Sequence, residues 1–212
     1  MPKAAAAKTE SLYGVHPSVA MVQKWLAELK GKTGRSLEEW VALVKKEGPK
    51  GETARRAWLK TKHKMGMNSA WWIAERAEGK GPDEDSPEGY LKAAVRYVDE
   101  QYGGAKEKLR PIYDALLAKG RALGPDVKAC PCRTMVPLYR QHVFAQIKPT
   151  TNSRIDLGFA LKDHKGKLPK RLVDTGGLAK KDRITHRIEI TSLADIDADV
   201  DKWLTIAYDL DA

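Results

Sequence analysis

The stretch that decides the fold is residues 142–162, HVFAQIKPTTNSRIDLGFALK, where the spacing of apolar residues changes from a helical to a strand-like period. In its first half Val143, Ala145 and Ile147 alternate with other residues, and the alternation resumes over residues 154–162. A period of two is typical of strands that bury one face. The stretch therefore predicts strands of a mostly antiparallel sheet.

The sequence around this stretch extends the sheet and adds helices. Residues 183–191 alternate in the same way, and shorter strands are expected at residues 135–140 and 172–174. The helical patterns of this half cover residues 90–102, residues 105–123 and a last segment that Ser192 is expected to cap. This order predicts an α+β fold, with a curved sheet of about five strands covered on one face by helices.

The N-terminal part shows only helical spacing. Ser36 and Glu39 form a capping-box signature for the second helix, which Gly48 and Pro49 end. The third helix is expected to turn Ala54, Ala57, Trp58 and Thr61 inward. The four predicted helices cover residues 18–29, 36–48, 52–64 and 70–78. We predict an all-helical bundle of about four short helices.

Residues 79–88, GKGPDEDSPE, are rich in glycine, proline and acid, which is typical of a linker. This gives four predicted regions: a disordered tail at 1–10, a basic helical domain at 11–79, a linker at 80–88 and an α+β domain at 89–212. Hydrophobic residues at 42% and charged residues at 31% indicate globular domains with a heavily charged surface.

Positive charge is concentrated in two regions. Residues 1–80 hold 16 Lys/Arg and 8 Asp/Glu, and residues 128–187 hold 14 Lys/Arg and 4 Asp/Glu, while the whole chain has a net charge of +10. Basic surfaces of this kind favour phosphate-rich partners. Solubility is the alternative explanation.

Two sets of basic residues are candidate contacts for nucleic acid. Residues 52–78 resemble a helix-turn-helix, and the third helix would contact phosphates through Arg55, Arg56, Lys60, Lys62 and Lys64. The alternative is a solvated basic face.

The second set is expected on the polar face of the sheet, where Phe144 and Gln146 stand among basic side chains and an aromatic could stack on bases. Its basic members are Arg140, His142, Lys148, Arg154, Arg183 and Arg187. In the alternative, Phe144 fills a second small core and the arginines keep the face wet.

Other residue types do not form a recognisable catalytic or metal site. Cys130 and Cys132 offer two thiols where tetrahedral zinc needs four ligands, so we interpret them as structural, with a redox-sensitive pair as the alternative. Asp163, His164, Asp182 and His186 lack a nucleophile motif beside them, and no Walker pattern occurs. We predict no catalytic residue, no metal and no cofactor.

Location follows from what the sequence lacks. No apolar run approaches the roughly 20 residues that span a bilayer, and residues 1–10 do not resemble a secretory signal. With only two cysteines, one residue apart, the cytoplasm is the expected compartment, without membrane contact.

Two stretches together resemble a known domain pair. The run GVHPSVAMVQKWLAELKGKTGRSLEEWVALVKKEGPKGETARRAWLKTKHKMG (14–66) resembles an uncharacterised bacterial helical module. The run RTMVPLYRQHVFAQIKPTTNSRIDLGFALK (133–162), with the strand at 184–190 and the Trp203 helix, resembles an α+β module that often accompanies it. Both are known as domains of unknown function, and the second is loosely similar to small α+β domains proposed to bind DNA or to chaperone iron. The resemblance implies no catalytic residue.

The leading hypothesis is a non-catalytic protein that binds DNA or RNA through its basic surfaces. The alternative is a protein-interaction or small-ligand module, working through the acidic last helix and through Trp71 and Trp72, with a homodimer or another protein as partner. A metal-linked enzyme is the weaker alternative.

Overall fold

The computed structural model describes residues 11–81 and 85–212, and in these residues an N-terminal helical region is followed by helices and an antiparallel sheet. The α+β class predicted from the sequence is confirmed. The helices are α1 (Ser18–Thr33), α2 (Leu37–Glu47), α3 (Glu52–Lys62), α4 (Met67–Ala77), α5 (Pro87–Gln101), α6 (Arg110–Arg121) and α7 (Ala198–Asp209). The strands are β1 (Lys128–Ala129), β2 (Val136–Tyr139), β3 (Val143–Thr151), β4 (Arg154–Phe159), β5 (Val173–Asp174) and β6 (His186–Ile190).

The first four helices bury a common apolar core. Helix α2 begins after Ser36, whose hydroxyl accepts from Glu39 N, while the Glu39 carboxylate accepts from Ser36 N, as the capping box predicts. Helix α4 buries Ala70, Ile73, Ala74 and Ala77, the predicted inward positions. Other members of this core are Leu29, Trp40, Val44, Leu59 and Met65.

Helix α3 is rotated relative to the prediction. Its fully buried residue is Leu59, and Trp58 is half-buried, whereas Ala54, Ala57 and Thr61 are exposed. Turning Leu59 inward removes more apolar area from water than turning in alanines and threonine, so the larger side chain decides which face packs. The predicted inner face of α3 was therefore wrong apart from Trp58.

The sheet has six strands in the order β1-β2-β3-β4-β6-β5, all antiparallel, where about five were predicted. Strand β1 has only two residues, which is too short for a period of two to be visible. Strand register sets two faces: Ile147, Leu157 and Ile188 are paired neighbours on one face, and Gln146, Gly158 and Arg187 on the other.

Only glycine fits at position 158. A Cβ there would lie 2.6 Å from Ile184 Cγ2 and 3.0 Å from Gln146 Cγ, because Ile184 crosses close over this face of the sheet. Strand β4 is buried at five of its six positions, so the simple alternation of wet and buried positions does not hold for it.

Helices α6 and α7 pack against the sheet, α7 against β3 and β4. The prediction that Ser192 caps the last helix was wrong, because a short 3-10 turn lies between Ser192 and α7. Ser192 caps a 3-10 turn, Leu193–Asp195, and α7 is instead capped by Asp197, whose carboxylate accepts from Asp199 N and Val200 N. Ser192 and Asp197 are both residue types that cap helices, and they lie close together in the sequence. The sequence alone therefore does not show which of them precedes α7.

The described chain divides into two compact units, residues 16–93 and residues 94–212 together with 11–15. In the second unit Gly14 N donates to Ala129 O at 2.9 Å, beside the short strand β1. Of the predicted linker, residues 82–84 lie outside the described residues, as does the predicted tail at 1–10, and α5 begins at Pro87. Within residues 11–81 and 85–212, no helix combines the length and apolarity that crossing a bilayer requires.

Candidate nucleic-acid interface

The exposed side of α3 carries cations at helical spacing. Arg56 and Lys60 are four residues apart, and Lys64 follows just beyond the helix end with a φ of 54°. Ala57, between Arg56 and Lys60, is small and exposed. Long cationic side chains beside small neighbours leave this side of the helix open to a large anionic partner.

Carboxylates of the helical unit are already engaged within the unit. Each of the seven glutamates in residues 16–81 forms an ion pair with a basic side chain or accepts a hydrogen bond from Ser36. In the same residues, eight exposed cations have no carboxylate partner: Lys24, Lys30, Arg35, Lys45, Lys46, Lys50, Lys60 and Lys64. The unpaired cations of residues 16–81 are therefore all lysines except Arg35.

Arg55, Arg56 and Lys62, three of the predicted contacts, have carboxylate partners, and Arg56 Nη1 lies 3.9 Å from Glu52 Oε1. Arg55 Nη1 lies 2.5 Å from Glu78 Oε1 and its Nε donates to Pro49 O, so that the side chain is only 14% exposed. Lys62 Nζ lies 3.8 Å from Glu47 Oε2 and 5.1 Å from the Trp58 ring centre. Arg55 therefore joins segments of the helical unit instead of extending from its surface.

Two tryptophans of α4 differ in exposure. Trp72 packs against Trp25 of α1 with ring centres 4.8 Å apart, whereas Trp71 is 44% exposed. The Arg56 guanidinium lies 5.5 Å from the Trp71 ring centre. An exposed indole beside an arginine is the combination on which unstacked bases pack in single-strand binding proteins.

His63 lies in an aromatic cluster close to these cations. Its ring contacts Trp40 and Trp58 edge-on, with ring centres 5.2 Å and 4.5 Å away. Burial, followed by the positive charges of Lys62 and Arg35, lowers the pKa of His63 below its usual value. The surroundings of His63 therefore disfavour protonation of its ring.

On the sheet, two of the predicted basic residues surround a carboxylate. Arg154 Nε lies 2.9 Å from Asp156 Oδ1, and Arg187 Nε lies 3.4 Å from Asp156 Oδ2. Glu189 Oε1 lies 3.0 Å from Arg154 Nη1 and 3.0 Å from Arg187 Nη2. The Asp156 side chain is 12% exposed and also accepts from Thr150 Oγ1 at 2.8 Å. Lys148, on the same face, has no carboxylate partner in the described chain.

The remaining predicted residues of that face lie elsewhere. Arg140 donates to Asp126 and to Tyr208 O, and Arg183 and His142 both donate to Asp211, near the end of α7. The bond to Asp126 raises the pKa of Arg140 above its usual value. The predicted continuous basic face is thus divided into two groups, and four of its arginines, in both groups, are paired with carboxylates.

Phe144 does not stand among these cations. A register shift between Leu138 and Tyr139 makes Phe144 an extra residue in β3, and a bulge of this kind redirects a side chain. Phe144 is fully buried against Tyr208 of α7, with ring centres 5.7 Å apart. The alternative in which Phe144 fills a core is the arrangement in the structure.

The other reactive side chains have structural surroundings. Burial raises the pKa of Cys130 to about 12, which suppresses its thiolate near neutral pH. His164 packs edge-on against Trp203 at 5.3 Å, and His186 lies beside Thr185. Within the described chain no three His, Cys, Asp or Glu side chains are placed to hold a metal ion.

Sequence patterns did not identify the acidic partners Asp156, Glu189 and Asp211. Alternation in β4 and β6 places the first two on the same face as the arginines, and this could have indicated pairing. Asp211 has no such signal, because it meets Arg183 and His142 only through the tertiary fold.

Comparison with known protein families identifies both modules. Residues 21–79 match a family described as Domain of unknown function (DUF4287), and residues 98–211 match one described as Domain of unknown function (DUF5655). No curated protein and no solved structure matches the chain. The tandem arrangement confirms the predicted resemblance to a two-module family. Because the second match covers more than half of the chain, the protein belongs to the DUF5655 family and carries a DUF4287 module before that domain in the sequence.

Proposed function

We propose that the helical unit binds nucleic acid through the α3 surface, which we define as Arg56, Lys60, Lys64 and Trp71. The observation that carries this proposal is the imbalance of pairing in residues 16–81, where the glutamates are engaged and eight exposed cations are not. Uncompensated lysines attract a polyanion by releasing its counterions. Contacts of this type fix position on the phosphate backbone without selecting a sequence.

The α3 surface also favours unpaired strands over a uniform duplex. Trp71 is exposed and lies beside Arg56, so a base released from its stack can pack on the indole while lysines contact the adjacent phosphates. Stacking of one base on an aromatic side chain contributes about 1–3 kcal/mol. DNA or RNA with a single-stranded segment is therefore the preferred partner in this proposal.

The test is a binding titration of the full chain with a labelled single-stranded oligonucleotide across a salt series. Wild-type protein should bind at low salt and be released as salt increases. Lys60→Glu/Lys64→Glu should weaken binding by about tenfold or more and reduce the dependence of log K on log salt by about two, since two phosphate contacts are lost.

The matched control is Lys165→Glu/Lys167→Glu, which makes the same charge change on exposed lysines of the α+β unit. It should retain most of the affinity. Equal losses in both double variants would show that only the net charge matters, and unchanged binding by Lys60→Glu/Lys64→Glu would reject the α3 surface.

The competing hypothesis of an acidic working surface on α7 has less support. Asp197 and Asp199 lie 2.6 Å and 3.5 Å from Arg171, and Asp201 lies 2.6 Å from Lys119. A protein partner docking on Trp71 remains the alternative to nucleic acid at the α3 surface. Trp71→Ala separates the two, because it should weaken single strands more than duplex if bases stack there, and should abolish self-association if a second copy docks there.

The proposal places the protein in a bacterial cytoplasm, where nucleic acid is accessible. Cys130 and Cys132 are not joined to each other by a disulfide, in keeping with a reducing compartment.

A further inference from the structure

A cavity of the α+β unit lies at the C-terminal end of α7. Its volume is about 500 Å³, and it is formed by the segment after β4, the segment before β6 and the end of α7. Cavities of about 300–1,000 Å³ are the usual size of small-molecule sites. This cavity is separate from the α3 surface and belongs to a different unit.

One wall of the cavity is apolar and open to solvent. Leu178 is 61% exposed and Leu210 is 39% exposed, and Ala160 and Ala207 line the cavity with them. Covering exposed leucines stabilises a complex by roughly 25 cal/mol for each Å² removed from water. The wall therefore suits an apolar group of a ligand.

The cavity lining also includes a guanidinium held in place, that of Arg183. Arg183 donates from Nε to Val143 O at 2.8 Å and from Nη2 to Asp211, whose side chain is only 2% exposed. Asp211 is held in turn by His142, through backbone N at 2.7 Å and Nδ1 at 3.1 Å. With these two bonds fixed, Arg183 Nη1 has no partner in the described chain and the side chain is 44% exposed.

Lysines add to the positive charge at this end. Lys162 and Lys181 line the cavity, are exposed and have no carboxylate partner within the described residues. Of the three lining acids, Asp211 is paired with Arg183, Asp182 Oδ1 accepts from Ile184 N, and Asp163 is exposed. The three lining cations and three lining carboxylates balance in formal charge, so the preference for a carboxylate rests on the fixed guanidinium of Arg183, whose Nη1 is available to donate.

We propose that this cavity binds a small amphipathic carboxylic acid, whose carboxylate contacts Arg183 Nη1 and the lysines and whose apolar chain covers Leu178 and Leu210. The volume limits the ligand to a small molecule, and the fixed guanidinium orients it. This site is independent of nucleic-acid binding at the α3 surface.

The test uses three probes of equal chain length, octanoate, octanol and octylammonium, titrated into the full chain and followed by amide NMR shifts. Octanoate should shift the amides of residues 178–184 and 207–211 and bind at least about tenfold more tightly than octylammonium. Equal affinities for octanoate and octylammonium would overturn the carboxylate assignment. Shifts confined to other parts of the chain would overturn the site.

A matched pair of variants separates the cavity from general surface effects. Leu178→Asp removes the apolar wall and adds a negative charge, while Leu193→Asp makes the same change at a leucine that is 55% exposed outside the cavity. Both residues are exposed, so both variants should fold, which their NMR spectra will show. Octanoate affinity should fall about tenfold or more in Leu178→Asp and stay within about twofold in Leu193→Asp. Similar losses in both variants would contradict the proposal.

Discussion

The helical unit and the sheet of the α+β unit both come from regions with excess positive charge, but they differ in how much of that charge is paired with carboxylates. On the sheet, Arg154 and Arg187 surround the largely buried Asp156 and share Glu189. On the helical unit, Lys60 and Lys64 have no acidic partner within the described residues. The comparison teaches that an excess of basic residues becomes an available surface only where the fold leaves those residues unpaired.

Residue type accounts for part of this difference. The guanidinium of arginine has several donors in one plane and suits carboxylates held at fixed positions, as on β4 and β6. Lysine carries a compact, strongly hydrated charge on a flexible stem, and it stays in solvent on an exposed helix. Arginines predicted as contacts mostly became structural, and lysines remained available.

The largest expected effect tests whether the sheet charges are structural. Asp156→Ala leaves two partly buried arginines with Glu189 alone, and we expect it to lower the free energy of unfolding by about 2–3 kcal/mol. Hydrogen exchange of the β4 amides measures this loss locally.

The control for that change is Asp163→Ala, which removes an exposed carboxylate and should alter stability by about 0.5 kcal/mol or less. If both variants cost the same, the sheet pairs contribute no more than surface charges do, and the contrast between the two regions is lost.

A smaller effect tests the difference between the paired Arg55 and the unpaired Lys60 and Lys64. Arg55→Gln removes the pair with Glu78 and the bond to Pro49 O, and it should lower the stability of the helical unit by about 1–2 kcal/mol. Oligonucleotide affinity at a temperature where the variant is folded should stay close to wild type. A loss of affinity as large as that of Lys60→Glu/Lys64→Glu would place Arg55 on the interface after all.

The smallest effect concerns pH. Because the pKa of His63 is lowered in the folded chain, the unfolded chain binds the proton more readily, and stability declines as the pH falls through the unfolded value of about 6.5. His63→Phe keeps the contacts with Trp40 and Trp58 and should reduce this decline.

The measurement for this change is the His63 Cε1 proton shift against pH, together with thermal unfolding at several pH values. A titration midpoint above 6.5 would mean that burial and the charges of Lys62 and Arg35 do not disfavour protonation of His63.

Local rules in the sequence predicted much of the fold because they act between near neighbours. The capping box at Ser36 and Glu39, the inner face of α4 and the alternation around Ile147 and Leu157 all appear in the structure. Local rules failed where a competing local feature was stronger, as at Ser192, or where an element was too short to show a period, as in β1.

The sequence sets which residues the candidate sites contain, and the fold sets which of those residues are unpaired and exposed. By itself the sequence determined the two-module plan, the element types and the positions of excess charge, since these follow from spacing and side-chain chemistry. Only the tertiary structure decided that Arg55 pairs with Glu78, that Phe144 is buried and that Asp211 fixes Arg183 beside a cavity. Those contacts join residues 23 to 64 positions apart, and no spacing along the chain encodes which distant residues meet.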